Sequence, residues 1–166
     1  MADVALVRID DRLIHGQVVV KWLRHLGFTA ILVVDEGLWQ DAFMQSILRL
    51  AAPAGVQVRV APVHGAAEQL ASINGDRTRV LLLVKSPQTA LALLDDGFLF
   101  RELNVGGLAA GPGSVRLYKS VSANSEQLAA LRTIHDRGVR VYVQMIPEER
   151  PVELAELLPA REAIVQ

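Results

Sequence analysis

The sequence predicts an α/β domain of the doubly wound type, with a mostly parallel central sheet flanked by helices on both faces. Short β-branched runs alternate with longer stretches of helical period, and no repeat or low-complexity tract interrupts that rhythm. No linker divides the chain, and 166 residues suffice for one sizeable core, so 1–166 is expected to be a single domain.

Residues 4–9 (VALVRI) read as the first strand. The stretch 16–26 (GQVVVKWLRHL) reads as a helix, because Val19, Trp22, Leu23 and Leu26 share one face. A second strand at 30–35 (AILVVD) precedes a helix over 39–51 that Pro53 terminates. Residues 56–61 (VQVRVA), 65–73 (GAAEQLASI) and 79–85 (RVLLLVK) continue as strand, helix and strand. Pro87 suits the first turn of the next helix and Gly97 its stop, after which 101–107 (RELNVGG) is a fifth strand. The rhythm then breaks. The segment 108–123 (LAAGPGSVRLYKSVSA) reads as a loop or bend running into a short strand. A helix over 125–138, a strand over 139–146 and a short terminal helix over 151–158 complete the order.

Composition narrows the function classes. A net charge of −1 gives no electrostatic pull toward nucleic acid. The absence of cysteine excludes disulfides, iron–sulfur clusters and zinc-finger sites. The N-terminus lacks a cationic stretch followed by an apolar core, so no signal peptide is expected. No apolar run approaches the roughly 20 residues of a membrane span, and a soluble protein is expected.

In open α/β sheets ligands gather beyond the carboxyl ends of the strands, which directs attention to the segments after residues 9, 35, 61, 85 and 107. The first of these lies in RIDDRLIHGQ (8–17) and holds Asp10, Asp11, Arg12 and His15. Gly16 and Gln17 then open a helix whose leading amides and dipole favour an anion. Imidazole is a nucleophile near neutral pH, arginine grips phosphate oxygens two at a time, and a carboxylate can hold the imidazole tautomer. A plainer account fits the same residues: an aspartate capping the helix, Arg12 as its solvated partner and His15 as a surface loop residue.

Other positions carry weaker signals. His25 and His135 sit near helix ends, where a cation suits the dipole. His64 either rims the cleft or simply opens a helix. No pair of histidines has ligand spacing, so a metal is not expected. Lys119, Ser120 and Ser122 fit phosphate ligands or, more simply, edge-strand residues; Lys85 ends a strand, and EERP (148–151) reads as a solvated loop. There is no G-x-x-x-x-G-K-[ST], and the first strand does not end in G-x-G-x-x-G. The chain is thus equipped for a phosphoryl group without a nucleotide, which points to phosphate delivered by another protein.

VRIDDRLIHGQVVVKWL (7–23) resembles the N-terminal signature of the mannose/fructose/sorbose family of IIB components of the sugar phosphotransferase system. LAAPAGVQV, RVLLLVKSP, ELNVGG, KSVSA and VQMIPEERPVEL follow in the family's order and spacing. The resemblance implies that His15 accepts phosphate, on Nδ1, from a phosphorylated IIA protein. It then passes the group to a sugar carried through the membrane IIC and IID subunits, and the resemblance implies no cofactor. Arg12 and the loop around Leu13, Ile14, Gly16 and Gln17 would hold the phosphate, and Asp10 would orient or balance the loop. The resemblance further implies a homodimer beside the permease in the cytoplasm, and a sugar of the mannose, fructose, sorbose or hexosamine class. With no IIA sequence in the chain, a separate donor is expected. A regulatory phosphocarrier that signals without transport is the alternative. Many relatives carry a methionine and bulkier residues after NVGG, whereas Leu108–Gly113 here reads LAAGPG, so partner and sugar preference are open at this loop.

Overall fold

In chain order the elements are β1 (Asp3–Asp10), α1 (Gly16–Leu26), β2 (Ala30–Val34), α2 (Glu36–Trp39), α3 (Ala42–Ala51) and β3 (Gln57–Ala61). A 3-10 turn at Val63–Gly65 leads to α4 (Ala66–Ser72), β4 (Arg79–Val84), α5 (Pro87–Asp95) and β5 (Glu102–Gly107). The hairpin β6 (Val115–Tyr118) and β7 (Val121–Ala123) precedes α6 (Ser125–Asp136), β8 (Arg140–Val143) and β9 (Val152–Glu153). This computed structural model describes residues 2–73, 75 and 77–158.

The main sheet has seven strands in the order β3-β2-β4-β1-β5-β8-β9. All pairings are parallel except that of β9 with β8. Leu6, Ile31, Val33, Leu81 and Leu83 face α1, α2 and α3, packing with Trp22, Leu38 and Leu48. Val7, Ile9, Leu32, Val34, Leu82 and Val105 face α4, α5 and α6 on the other side. Burial on both faces explains why AILVV and VLLLV are unbroken apolar runs instead of alternating ones.

Chain direction locates the site. From β1 the chain crosses to β2, two places toward one edge; from its neighbour β5 it proceeds to β8, toward the other. Connections that leave adjacent strands in opposite directions open a crevice between their carboxyl ends, here between Asp10 and Gly107.

The structure departs from the sequence reading at four places. The helix expected over 39–51 starts only at Ala42, because Asp41 caps Met44 N–H (3.0 Å), and a separate short helix at Glu36–Trp39, capped by Asp35 on Leu38 N–H (2.9 Å), precedes it. Within 108–123 the loop runs to Ser114 as expected, but two strands follow instead of one, a hairpin whose β7 is tied to the end of β5 by Leu108 N–H to Ser120 O (3.1 Å) and Ser122 N–H to Leu108 O (2.9 Å). The strand expected over 139–146 stops at Val143, where the backbone leaves the ladder. Residues 152–153, expected as helix, form the antiparallel edge strand β9, and only 154–158 are helical. Pro151 stands just before β9, where its missing N–H costs no ladder bond.

Candidate functional site

Strand period builds the first half of the site. Leu6 points to the α1 side of β1, and residues 8 and 10 repeat that direction, so Arg8 and Asp10 enter the same layer. Arg8 is only 2% exposed. Its Nη1 donates to Asn104 Oδ1 and to the Gln144 carbonyl (3.0 Å), while Nη2 donates to Asp10 Oδ2 (3.1 Å) and the Met145 carbonyl (3.1 Å). The Trp22 ring centre lies 5.5 Å from the guanidinium carbon. Space for the guanidinium comes from Gly106, where a Cβ would stand 2.0 Å from Arg8 Cζ.

Asp10 is fully buried and both of its oxygens are occupied. Oδ1 accepts Arg12 N–H (3.1 Å) and Arg12 Nε–H (3.3 Å); Oδ2 contacts Arg8 Nη2 and His15 Nε2, the latter at 3.0 Å. Burial pushes the carboxyl pKa up, but the His15 hydrogen bond, the Arg8 charge and the Arg12 amide outweigh it, and the net shift is downward. Burial likewise draws the Arg8 pKa down, against the pull of Asp10. The carboxylate is therefore ionised wherever the protein is folded near neutrality.

The loop between β1 and α1 is held by its own apolar residues. Leu13 and Ile14 are buried beneath α1, worth about 2 kcal/mol each. That outweighs the roughly 1–2 kcal/mol cost of the left-handed backbone at Leu13 (φ 57°). Gly16, at φ 44°, completes the reversal, and His15 stands extended (φ −147°) as the residue before the helix. Its ring caps no helix amide and, among the described residues, Nδ1 makes no hydrogen bond. Gly16 and Gln17 are the first residues of α1, whose leading amides lack partners within the helix.

Beside this loop lies a cleft of about 610 Å³ lined by Asp11, Arg12, Gly107, Leu108 and Ala109, with Arg116, Lys119, Ser120 and Ser122 on its hairpin side. The crevice thus brings together Asp10, Arg12 and His15, and it draws in Lys119, Ser120 and Ser122, which the sequence left as phosphate ligands or, more simply, edge-strand residues. Asp11 turns away from His15 and accepts Ala109 N–H at 2.7 Å, tying the first loop to the hairpin segment. Lys85 pairs with Asp35 (3.7 Å) and His64 with Asp96 (3.0 Å), each away from Asp10; His25 packs edge-on to Trp22, and His135 stands beside Asp136. Sequence reasoning missed Arg8, Asn104, Gly106 and Arg116. The available signal was a charge two residues before Asp10 in a strand, which places both on one face.

The chain matches the family described as "PTS system sorbose subfamily IIB component" over residues 4–165. It is 32% identical over 158 residues to the N-acetylgalactosamine-specific phosphotransferase enzyme IIB component 2 of Escherichia coli (strain K12), covering 95% of this chain and 100% of that one. It is 29% identical to the mannose-specific EIIAB component of the same organism, covering 93% of this chain and 48% of that protein. Among solved structures, manxB from Thermoanaerobacter tengcongensis superposes with a TM-score of 0.87 at 34% identity, over 96% of each chain. Fold, sequence and length agree, and the chain belongs to the sorbose-subfamily IIB components of the phosphotransferase system.

Proposed function

We propose that His15 is the phosphoryl-carrying residue of this IIB component, and that Nδ1 is the atom that carries the group. The observation behind this reading is the contact of His15 Nε2 with the buried Asp10 carboxylate at 3.0 Å, beside a cationic cleft at the crevice between β1 and β5. A carboxylate facing Nε2 favours the tautomer protonated there and leaves the lone pair on Nδ1. Arg12, with its side chain 49% exposed and one nitrogen on Asp10, is the group that reaches an incoming phosphoryl oxygen, assisted by the amides of Leu13, Ile14, Gly16 and Gln17.

IIB components are phosphotransferases of sugar uptake and work with a IIA protein and membrane subunits. In this chain His15 takes the phosphoryl group from a phosphorylated IIA protein and gives it to a sugar of the mannose, fructose, sorbose or hexosamine class at IIC and IID. Among the described residues no helix is long and apolar enough to cross a membrane, which accords with a cytoplasmic phosphocarrier docking on its permease. A homodimer belongs to the same reading. Phe43, Ile47 and Leu50 stand exposed along α3 at spacings that align them on one face, an apolar strip a second copy would cover.

The test is phosphorylation with phosphoenolpyruvate, the general phosphotransferase proteins and a IIA partner, followed by mapping of the label. Acid-labile phosphate on His15 is expected. Full labelling of His15→Ala would sink the assignment.

A further inference from the structure

Arg8 is buried inside the sheet, and its contacts divide between Asp10 and the walls that hold the guanidinium still. Asn104 from β5 and the carbonyls of Gln144 and Met145 take three of its hydrogen bonds, and the fourth goes to Asp10 Oδ2. That oxygen is the one His15 Nε2 touches. The walls are themselves braced. Asn104 donates to the Gln144 carbonyl (3.1 Å), Trp22 Nε1–H donates to the Met145 carbonyl (2.9 Å), and Glu149 accepts Met145 N–H (3.4 Å). An arginine serving only to neutralise Asp10 would not need this seat, since Arg12 already lies against the other oxygen.

We propose that Arg8 is a positioning residue for phosphoryl transfer. Seated between β1, β5 and the 144–149 loop, it fixes the Asp10 carboxylate so that His15 keeps its ring proton on Nε2 and presents Nδ1 to phosphorus. This inference rests on the reading of His15 given above. In the step it serves, the Nδ1 lone pair forms the N–P bond as the bond from phosphorus to the donor atom breaks, that electron pair leaving with the donor. The ring retains its Nε2 proton and becomes cationic, and Asp10 supplies the compensating charge. On transfer to a sugar hydroxyl the N–P bond breaks, its pair returns to Nδ1, and the hydroxyl proton passes to solvent.

Other ionisable groups surround the pair without replacing Arg8. They include Asp11 and Arg12 on the loop, Lys21 on α1, Arg116 and Lys119 on the hairpin, Glu148 and Glu149 beyond β8, and Tyr142 on β8, which interacts electrostatically with Arg8. Lys21 pairs with Glu148 at 3.8 Å and Lys119 with Glu149 at 3.4 Å. Besides Arg8 and His15, Arg12 is the ionisable residue with a hydrogen bond to Asp10 among the described residues.

The experiment compares the wild-type chain with Arg8→Met, Arg8→Lys and Asn104→Ala. It reads the ¹⁵N NMR signals of the neutral His15 ring and the rate of phosphoryl transfer from a phosphorylated IIA protein. Wild type is expected to hold the Nε2–H tautomer. Arg8→Met should divide the ring between both tautomers and slow transfer by about ten- to a hundred-fold with KM for the donor unchanged. Arg8→Lys should recover part of both. A folded Arg8→Met that keeps the single tautomer overturns the proposal, whether its rate is normal or reduced, since a slow enzyme with an intact tautomer reports only general damage. If Arg8→Met does not melt cooperatively, Asn104→Ala, which loosens the seat and spares the charge, is read instead. It should show a mixed tautomer and slower transfer, and wild-type behaviour there overturns the proposal. Absence of label at His15 in the wild-type chain is a separate result, which removes the phosphoryl site itself.

Discussion

His15 Nε2 and Asp10 Oδ2 stand 3.0 Å apart, so the ring of a surface loop is fastened to a carboxylate inside the sheet. A ring that donates from Nε2 to this carboxylate keeps its lone pair on Nδ1, the atom proposed to carry the phosphoryl group. Asp10→Asn keeps the shape but loses the charge. Phosphoryl transfer to His15 is expected to fall by about 100-fold or more, as seen by rapid-quench kinetics with a phosphorylated IIA protein.

The same carboxylate governs acid stability. The Asp10 pKa lies below its ordinary value of 3.8, so Asp10 contributes stability that is fully present above that value and is lost as pH falls through the lower folded value. Near neutral pH Asp10→Asn should cost on the order of 3 kcal/mol, because it leaves Arg8 buried without its counter-charge. In urea unfolding the gap between the two proteins should narrow below about pH 4. A gap that stays constant down to pH 2.5 or so would show that Asp10 is not the titrating group.

Gly106 and Gly107 are separately testable. A Cβ on Gly106 would stand 2.0 Å from Arg8 Cζ, whereas one on Gly107 would meet Asp10 Oδ1 at 2.9 Å. Gly106→Ala should therefore be the more damaging, by about 2–4 kcal/mol, with thermal melting as the measurement. Equal melting temperatures for Gly106→Ala and wild type would mean that the guanidinium does not fill that space.

Arg12 should separate function from stability. Its side chain is half exposed and its pairing with Asp10 is a partly solvated one. Arg12→Ala is expected to change unfolding free energy by no more than about 1 kcal/mol. Transfer should nevertheless slow by about ten- to a hundred-fold through lost contact with the phosphoryl oxygens.

The strip on α3 makes a prediction about assembly. Phe43 and Leu50 are exposed, so Phe43→Ser with Leu50→Ser should leave folding nearly unchanged. The pair should shift sedimentation at micromolar concentration from dimer to monomer. An identical profile for the double variant would direct attention to another face.

The architecture was legible because strand and helix periods are local properties, and the loop that joins Asp10, Arg12 and His15 stood out because its residue types are rare together. Arg8 could be placed on the face of Asp10 from its spacing, but its burial could not be read. A lone charge in an apolar strand ordinarily points to solvent, and only the Trp22 ring of α1 and the carbonyls of Gln144 and Met145, all distant in sequence, close that exit. Its main partner beyond Asp10 is Asn104, 96 residues away, and no local pattern connects the two. The hairpin was hidden for a similar reason. Gly111, Pro112 and Gly113 read as a loop, whereas β7 is held by hydrogen bonds to Leu108 at the end of β5. The break between α2 and α3 had a local signal in Asp35 and Asp41, which the apolar spacing of 39–51 masked.

Trp22 lies 3% exposed beneath the site, with its indole N–H on the Met145 carbonyl and its ring against the Arg8 guanidinium. The chain has two tryptophans, and the other, Trp39, is 43% exposed on α2. Trp39→Phe would therefore leave a single indole as a built-in optical gauge. Its emission colour would report water beneath the His15 loop, so arrival of a phosphoryl group at the proposed site could be followed in real time without a label.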